Sequence, residues 1–595
     1  MIADKNMISV IPTHSKNFRA FGWVQDPSNL RSLCDVVAVF DTNSKKHKDL
    51  IKTIIPKLVE ERDGRDDFIK TLQSRPLKIK YAELVGTSFT PRSMSRCNGI
   101  IQATVKGQGR DFIGDWPADN FVRWAHCFGF IKYDYTDDTF EITNKGLELT
   151  NARETDEALS EKETELLINA ILAYPPAVRI LNLLSETEDT HLTKFEIGQQ
   201  LGFIGEDGFT SMPQKIFIRS LVNAEPKDRK TMKADWEGSS DKYARMIASW
   251  LEKLDLVEKA PKTISVITAG KEYKETIGQA YVITANGITA LRKANGKSKH
   301  KRIAKNVCWE MLSTKGADRE YLRTRRAFIL KYLTENKNSV SVLDIINYLK
   351  TVNLNETENT ILDDIKGLQN IGINIKYKDN KFLFSDEIND FIIPLPQSLA
   401  KSDLAETKEK IREKMLNLSH EYLALIDLAY DSKQNRLFEM KTLDLLTEEC
   451  GYQGLHLGGG RKPDGVIYTN ADKCKYGVII DTKAYSKGYN LPISQADEME
   501  RYIGENQTRN EKVNPNKWWE HFSDDVNEFY FMFVSGHFIG NFKSQIERIS
   551  RNKGIKGTAL AVTNLLLCAE AYKSGSFTHE TIKNEIFNNT EYIFN

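Results

Sequence analysis

Apolar positions in the first half of the chain recur in the same order at two places. The two copies share an apolar helical run, a strand-like segment ending in Ile-Thr, and a glycine followed by Leu or Ile, and they lie at residues 121–147 and 243–288. Thr143 in the first copy and Thr284 in the second are placed to cap a following helix. A helix followed by two strands is typical of a winged helix-turn-helix unit.

A third unit is predicted between Ala327 and Phe384. Helical periodicity runs through residues 329–333, 342–349 and 361–371, and a hairpin that turns at Asp379-Asn380 follows. Any one such unit is also compatible with an interaction module. Three in succession favour DNA binding.

The pattern changes after a predicted linker, in which Pro394-Leu395-Pro396 favours extended chain. Helical patterns come first, at residues 403–416, 421–430 and 434–449. Strands then alternate with helices, the strands at residues 464–468, 476–483 and 528–534 and the helices at 494–505, 543–551 and 561–573. This alternation predicts an α/β domain.

Composition narrows the class of protein. A chain of 595 residues has room for about four domains, and 40% hydrophobic residues exclude global disorder. No apolar run approaches the ~20 residues of a membrane helix, and the polar start has no signal-peptide core, so we expect no membrane partner. The seven cysteines include no CxxC pair, which predicts reduced thiols and a cytoplasmic protein.

The net charge of +1 does not by itself indicate a nucleic-acid protein. The first 397 residues have a net charge of +4, and the last 198 have a net charge of −3. Seven basic residues and no acid lie between Arg292 and Lys305, and a second basic group follows at Arg319, Arg323, Arg325 and Arg326. These groups fit a solvated linker or phosphate contact, and their position between two predicted winged units favours phosphate contact.

The pattern with the clearest chemistry is Pro463-Asp464, then sixteen residues, then Asp481-Thr482-Lys483. Asp481 and Lys483 are two apart on a predicted strand, so their side chains face the same way. With Asp464 beside Asp481 at a hairpin, two carboxylates and the carbonyl of Thr482 can hold a divalent cation, for which Mg²⁺ is the natural candidate. Lys483 can then orient water and stabilise the transition state of phosphodiester hydrolysis.

Three glycines and two cations precede this pattern at residues 458–462 and let the backbone approach a phosphate closely. The alternative is a surface hairpin with a salt bridge, because so short a pattern occurs by chance in long chains. The glycines, the alternating strands and the DNA-binding pattern upstream favour the catalytic interpretation.

With the runs around them, these residues resemble the FokI family of type IIS restriction endonucleases. The resembling runs lie at residues 458–465, 481–486, 488–493, 495–499 and 505–510, and further upstream at residues 21–25, 124–126 and 235–247. The resemblance covers almost the whole chain.

The resemblance implies a multidomain α+β protein: three winged-helix (helix-turn-helix) DNA-recognition subdomains followed by an α/β PD-(D/E)xK nuclease domain. We expect the subdomains at residues 1–156, 157–300 and 301–390, the linker at 391–400 and the nuclease domain at 401–595. Asp464, Asp481 and Lys483 are the implied catalytic residues. Glu439, on the preceding helix, is either an auxiliary acid or a solvated helix residue, and the second interpretation is favoured.

The resemblance also implies DNA-contacting positions, which are Gln25, Asp26, Arg92 and Trp116 in the first subdomain and Glu237, Lys242 and Arg245 in the second. Their side-chain types suit base edges. Asp26 and Ala234 stand where the family has asparagines, so the recognition sequence is expected to be GGATG-like or altered there, with Lys233 and Asp235 able to compensate. Trp116 is equally compatible with a core position.

The family cuts two strands with one active site per chain, so a second nuclease domain is an expected partner. Asp497 and Arg501 match the family's dimerisation helix. Their i, i+4 spacing also allows a weak pair within one helix. The resemblance favours pairing across a two-fold axis.

The expected function is therefore that of a Mg²⁺-dependent type IIS restriction endonuclease in the bacterial cytoplasm. It is expected to bind a short asymmetric site in double-stranded DNA, to cut both strands at a fixed distance outside it, and to have a cognate DNA methyltransferase. One alternative is a non-catalytic winged-helix DNA-binding regulator. Another is a strand-nicking variant, because Glu500 adds negative charge beside Asp497 and Arg501.

Overall fold

The structure is a computed structural model that describes residues 8–12, 21–87, 96–187, 190–268, 270–297, 300–336, 338–396, 399–471 and 474–594. The chain divides into two compact units. Unit 1 contains Met1–Phe203, Lys242–Ala260 and Gln279–Ala400, and unit 2 contains Ile204–Asp241, Pro261–Gly278 and Lys401–Asn595.

The α-helices among the described residues are, in chain order, α1 Leu30–Ala38, α2 Lys45–Asp49, α3 Ile55–Leu58, α4 Arg65–Gln73, α5 Tyr81–Val85, α6 Ile100–Thr104, α7 Asp115–Cys127, α8 Asn144–Asn151, α9 Glu161–Ala173, α10 Pro175–Glu186, α11 Lys194–Gly198, α12 Gln214–Val222, α13 Pro226–Ser239, α14 Lys242–Lys253, α15 Ala285–Ala294, α16 Arg319–Glu335, α17 Val342–Thr351, α18 Glu358–Asn370, α19 Asp403–Lys414, α20 Ala424–Leu428, α21 Asn435–Asp444, α22 Ile493–Thr508, α23 Phe542–Lys553, α24 Val562–Lys573 and α25 His579–Ile586. The strands are β1 Ile8–Pro12, β2 Ile79–Lys80, β3 Ile131–Asp134, β4 Thr139–Ile142, β5 Leu192–Thr193, β6 Val257–Thr268, β7 Lys271–Ile283, β8 Ile375–Lys378, β9 Lys381–Phe384, β10 Phe391–Leu395, β11 Gln453–His456, β12 Gly465–Ala471, β13 Cys474–Lys483, β14 Phe529–Ser535, β15 Gly557–Ala561 and β16 Thr590–Tyr592.

The repeat seen in the sequence is a repeat of structure. In each copy a helix, α7 or α14, leads into two strands that join a third strand in a small sheet, with the orders β2-β4-β3 and β5-β7-β6. The predicted threonine caps are confirmed: the hydroxyl oxygen of Thr143 accepts from the amide of Gly146, and that of Thr284 accepts from the amide of Gly287. Each cap starts the helix that follows its sheet.

The glycine of the repeat is explained by close packing. A Cβ at Gly146 would lie 2.3 Å from the carbonyl oxygen of Phe130, and one at Gly287 would lie 2.0 Å from that of Leu256. Both contacts are too short for any side chain, so only glycine lets the capped helix pack this closely against the residue before the wing.

The third predicted unit forms helices α16, α17 and α18 and the hairpin β8–β9. Asp379 and Asn380 turn the hairpin with φ of 52° and 58°, so both adopt the left-handed conformation expected of such a turn. The first strand begins at Ile375, because the amide of Ile373 still bonds to the carbonyl of Leu368 at the end of α18.

Three arginines of the second basic group are interior residues. Arg323, Arg325 and Arg326 are buried on α16, and the last two form ion pairs with the buried Asp364, at 2.6 and 2.7 Å. A buried carboxylate between two guanidinium groups satisfies charges that would otherwise be costly to bury. The sequence pattern favours phosphate contact by these three arginines, and that prediction is wrong.

The proline-containing segment after the third unit continues as a strand. β10 pairs in parallel with β1, with Pro394 opposite Ile11, and Ile393 is fully buried. Extended chain, which the prolines favour, is also the conformation of an edge strand.

Unit 2 is built on one mixed sheet with the order β11-β12-β13-β14-β15-β16. The first three strands are antiparallel, and β13 to β16 run in parallel. β13 and β14 are buried along almost their whole length, as expected for central strands covered on both faces. Aromatic side chains from the 3₁₀ turn Trp518–His521 and from β14 pack with Ile546 of α23 in the core.

All seven cysteines are free thiols. No single helix among the described residues has the length and apolar character to cross a membrane, and only α9 with α10, a pair bent by 85°, has both in combination.

Candidate active site

The sheet of unit 2 brings Asp464 and Asp481 to the same end of neighbouring strands. Gly465 of β12 pairs with Ile480 of the antiparallel strand β13. Asp464, just before Gly465, therefore lies opposite Asp481, just after Ile480. The amide of Leu457 donates to the carbonyl of Asp464 at 2.9 Å and closes the loop before β12. Two carboxylates separated by sixteen residues in the chain thus lie side by side.

The three residues singled out in the sequence contact one another. Lys483 Nζ lies 2.7 Å from Asp481 Oδ1 and 3.8 Å from Asp464 Oδ2, as the i, i+2 spacing on a strand predicts. Asp464 Oδ2 also accepts from the amide of Thr482 at 2.7 Å and from its hydroxyl at 3.2 Å. Thr482 therefore fixes the carboxylate of Asp464.

Burial and neighbouring charge shift the protonation of this cluster. Burial raises the pKa of Asp481 well above its usual value, and the charge of Asp464 raises it further, against the opposing effect of Lys483. Burial lowers the pKa of Lys483, but the charges of Asp481 and Asp464 outweigh it and hold this pKa above its usual value. The cluster therefore favours a cationic Lys483, and a bound cation would relieve the repulsion between the two carboxylates.

The glycine-rich loop before Asp464 has an unusual backbone. Gly458, Gly459 and Arg461 have φ of 52°, 85° and 63°, and nothing lies within 4 Å of a Cβ placed on Gly459 or Gly460. Asn514 Nδ2 holds the loop by donating to the carbonyl of Arg461 at 2.9 Å. The open space beside Gly459 and Gly460 lets a phosphate approach this backbone closely.

Glu439 is not a solvated helix residue, and that interpretation is wrong. Its side chain is 18% exposed, and its Oε2 lies 2.8 Å from Nε2 of the buried His456. Its charge is also among those that raise the pKa of Lys483. His456 lies opposite Gly465 in the ladder, directly beside the catalytic candidates.

Tyr489 is a second residue that the sequence pattern did not single out. Its ring is buried, and its hydroxyl has no hydrogen-bond partner among the described residues. Burial, together with the charge of Asp481, raises its pKa above the usual value. No local sequence signal marks either Tyr489 or His456, because both reach the site through the packing of the sheet.

The donor set fits a hard divalent cation. Asp464 and Asp481 supply carboxylate oxygens, and Mg²⁺ characteristically uses one or two carboxylates and keeps several waters. Within the described part of the chain no cluster of three His, Cys, Asp or Glu side chains has metal-site geometry. Two carboxylates and a backbone carbonyl, such as that of Thr482, match Mg²⁺ better than a structural zinc.

In unit 1, Asn120 links two of the predicted DNA-contacting residues, Gln25 and Trp116. Asn120 is fully buried on α7, accepts from the amide of Gln25 at 3.0 Å and donates to the carbonyl of Trp116 at 2.9 Å. Trp116 is 50% exposed, with Arg123 over its ring at 5.9 Å, so it is not a core residue. Asn120 was missed because buried asparagines have no sequence signature.

The remaining candidates of unit 1 are partly accessible. Asp26 is exposed beside Gln25, and Lys242 and Arg245 lie half-buried on the first turn of α14, where their i, i+3 spacing puts them on one face. Arg92 lies outside the described residues.

Glu237 lies in unit 2, near the end of α13. Its Oε1 accepts from the amide of Gly278 at 3.2 Å. Ala234 is exposed, whereas its neighbours Lys233 and Asp235 pair with Glu275 and Arg436 at 2.8 and 3.1 Å.

Asp497 and Arg501 do not pair with each other within the chain. Asp497 Oδ1 pairs with Arg548 Nη2 at 2.5 Å, and Arg501 pairs with Glu498 at 3.1 Å. Glu500 is also neutralised by Arg548, whose Nε lies 3.3 Å from Glu500 Oε1. The intrahelical alternative is therefore not the arrangement of this helix.

Comparison with protein families matches the chain along most of its length. Four FokI family models match: subdomain 1 of the recognition domain at residues 19–152, subdomain 2 at 163–299, the D3 domain at 312–380 and the cleavage domain at 401–593.

Individual proteins match over the same extent. The type II restriction enzyme FokI of Planomicrobium okeanokoites is 46% identical over 97% of this chain and 99% of its own length, and StsI of Streptococcus sanguinis is 35% identical over 97% of both. Solved structures of FokI alone and of FokI bound to DNA cover 97% of this chain and all of theirs, with TM-scores of 0.90 and 0.91 and identities of 46% and 45%.

Recognition subdomains joined to a cleavage domain define a restriction endonuclease. The chain belongs to the FokI family of type IIS restriction endonucleases.

Proposed function

We propose that this enzyme hydrolyses both strands of duplex DNA, with Mg²⁺, at a fixed distance outside a short asymmetric, GGATG-like site. The observation that carries the proposal is the contact of Lys483 Nζ with Asp481 Oδ1 at 2.7 Å, beside Asp464. Two carboxylates and an ammonium group on neighbouring strands meet the requirements of phosphodiester hydrolysis.

Each side chain has a separate task in the proposed reaction. Asp464 and Asp481, with the carbonyl of Thr482, would hold the metal ion. When bound, the ion supplies positive charge to the phosphate and makes water more acidic. Lys483 is kept cationic by the two carboxylates, orients the attacking water and stabilises the charge that develops on the phosphate.

Recognition is proposed to involve Gln25, Asp26, Arg92 and Trp116 of the first subdomain and Glu237, Lys242 and Arg245 of the second. Cationic side chains suit guanine, glutamine suits adenine, and a carboxylate accepts from cytosine N4. Asp26 and Ala234 are the positions at which the site is expected to depart from GGATG.

Cutting of both strands is proposed to require a second nuclease domain. The exposed side chains of Asp497 and Arg501 lie one turn apart on α22 and can meet the opposite charges of a two-fold related copy. A host that contains such an enzyme must also protect its own sites, which implies a cognate DNA methyltransferase in the same bacterial cytoplasm.

Two observations disfavour the alternatives. A non-catalytic regulator has no need for Asp464, Asp481 and Lys483 in contact. A nicking variant was suggested by the charge of Glu500, but Arg548 and Asn552 bind that carboxylate within the chain, at 3.3 and 3.0 Å.

The proposal is tested by incubating the purified protein with a library of random-sequence duplexes, with and without Mg²⁺, and sequencing the ends. We expect double-strand ends at a fixed distance from one asymmetric sequence, in the presence of Mg²⁺ alone. Ends without a common flanking sequence, or single-strand nicks only, would contradict the proposal.

A further inference from the structure

A basic cavity of about 470 Å³ lies in unit 1, apart from the catalytic cluster. Its charged lining residues are Arg179, Lys297, Arg302, Lys366, Lys376 and Glu186. Five cations thus surround one space with a single carboxylate among the charged residues. This excess stands out in a chain whose net charge is only +1.

The cavity accounts for part of the basic run between Arg292 and Lys305. Lys305 of that run is buried, and Lys293 donates to Asn169 at 2.8 Å. Lys297 and Arg302 are the members that line the cavity. The structure therefore brings two cations of the sequence cluster to one concave surface.

The cations of the cavity are only partly neutralised. Arg302 pairs with the buried Asp386 at 2.8 Å. Arg179 has only neutral partners, donating to the carbonyl of Gln200 at 3.3 Å, and burial lowers its pKa. The ammonium groups of Lys297, Lys366 and Lys376 form no ion pair with any residue that the structure describes.

A helix end explains one of these cations but not all of them. Lys297 follows the C-terminus of α15, where a positive charge stabilises the helix dipole, whereas Lys366 lies before the last turn of α18. Arg179 lies in the first half of α10 and Lys376 lies on β8, away from any helix C-terminus. A role in binding accounts for all of them together.

The uncharged lining adds hydrogen-bond donors. Asn182 and Asn374 line the same cavity, together with Asn295 and Gln369, whose NH₂ groups each already donate one hydrogen bond, to Asn182 and to the carbonyl of Ile375. A carboxamide donates through its NH₂ group, and phosphate oxygens accept from both carboxamide and ammonium donors. An anion with several acceptor oxygens matches this lining better than a carboxylate does.

We propose that this cavity binds phosphate, either on the backbone of the DNA duplex outside the recognition sequence or on a free phosphate-bearing molecule. The two sources share one chemistry, several acceptor oxygens with multiple negative charge. Binding of the DNA backbone rests on the proposed function, whereas binding of a free phosphate-bearing molecule does not.

The test uses the full-length protein and the double variant Lys297→Gln/Lys366→Gln. Both lysines are exposed, so melting temperatures without phosphate should match and show that the variant is folded. Lys350→Gln, an exposed lysine on α17 of the same unit, is the control. One arm measures calorimetric binding of inorganic pyrophosphate, and the other measures binding of a labelled duplex without metal ion over a series of salt concentrations.

Loss of two phosphate contacts should weaken pyrophosphate binding by about tenfold or more, or lower the slope of log affinity against log salt by about 2. A changed salt slope assigns the ligand to the DNA backbone, and a changed pyrophosphate affinity alone assigns it to a free molecule. Unchanged values in both arms overturn the proposal. The pyrophosphate arm needs no DNA cleavage, so its outcome is independent of the proposed nuclease activity.

Discussion

Glu439 Oε2 lies 2.8 Å from His456 Nε2, and His456 lies opposite Gly465, the residue that follows Asp464. The charge of Glu439 helps to hold Lys483 in its cationic form. Residues that orient a catalytic group from behind it typically contribute 10-fold to 100-fold to activity. Glu439 and His456 are therefore positioning residues for the reaction proposed here.

Replacing the carboxylate is expected to slow cutting without weakening DNA binding. Glu439→Gln should lower the single-turnover cleavage rate by about tenfold, because Lys483 loses a negative charge that helps to hold it cationic. Glu585→Gln, an exposed glutamate on α25, is the matched control and should cut normally. Equal single-turnover rates for Glu439→Gln and the control would remove Glu439 from the mechanism.

The dimer proposal is tested at Asp497, one of the two residues of α22 that it places at the two-fold axis. Asp497→Ala should require about tenfold more enzyme for double-strand cutting, because it removes a contact to the second copy, and high enzyme concentration should restore the rate. Glu585→Ala, at an exposed glutamate on α25, is the control and should cut like the unmodified enzyme. The measurement is the amount of linear product at each enzyme concentration. Identical concentration curves for the two variants would contradict the two-fold contact.

The close approach at the second wing is expected to be intolerant of a side chain. Gly287→Ala should destabilise the protein by about 2 kcal/mol, because its Cβ would meet the carbonyl oxygen of Leu256 at 2.0 Å. Gly109→Ala is the control, since nothing lies within 4 Å of a Cβ there. Thermal melting compares the two, and an equal melting temperature would show that the close packing is readily relieved.

The buried carboxylate of Asp364 gives a defined pH dependence. Burial would raise its pKa, but the charges of Arg325 and Arg326 outweigh burial and hold it below the usual value. A carboxyl with a lowered folded pKa stabilises the protein above its unfolded pKa, about 3.9, and this stability is lost as pH falls through the folded pKa. Stability should therefore decrease in acid, below about pH 4.

Asp364→Asn should be about 3 kcal/mol less stable near neutral pH, because two buried guanidinium groups lose the carboxylate that they share, while Arg325 keeps its pair with Glu356. Its stability should also vary less with acid pH than that of the unmodified protein. Asp67→Asn, at an exposed aspartate on α4, keeps the normal pH dependence as a control. Denaturant titrations across pH measure both effects, and parallel curves for all three proteins would contradict the assignment.

Local signals in the sequence were enough for much of the fold. The threonine caps, the Asp379-Asn380 turn and the long apolar runs of β13 and β14 depend on neighbouring residues, and all are present. The strands β11, β15 and β16 were not predicted, because all three are short and the pairing partners of β15 and β16 lie far away in the chain.

The residues of the site also fall into those that a local sequence signal marks and those that it does not. Asp464, Asp481 and Lys483 were found because strand periodicity places two of them and the glycine-rich run marks the third. His456 and Tyr489 have no local mark, since the sheet and its packing bring them in. The burial of Arg323 could not be read from charge, because a basic run has the same composition inside a protein and on its surface.

The catalytic assignment is tested most directly by measuring cleavage and DNA binding on the same variants. Asp464→Ala and Lys483→Ala should each bind the recognition duplex as tightly as the unmodified enzyme and cut it at least about 10³-fold more slowly with Mg²⁺. Cleavage at the unmodified rate by either variant would contradict the account.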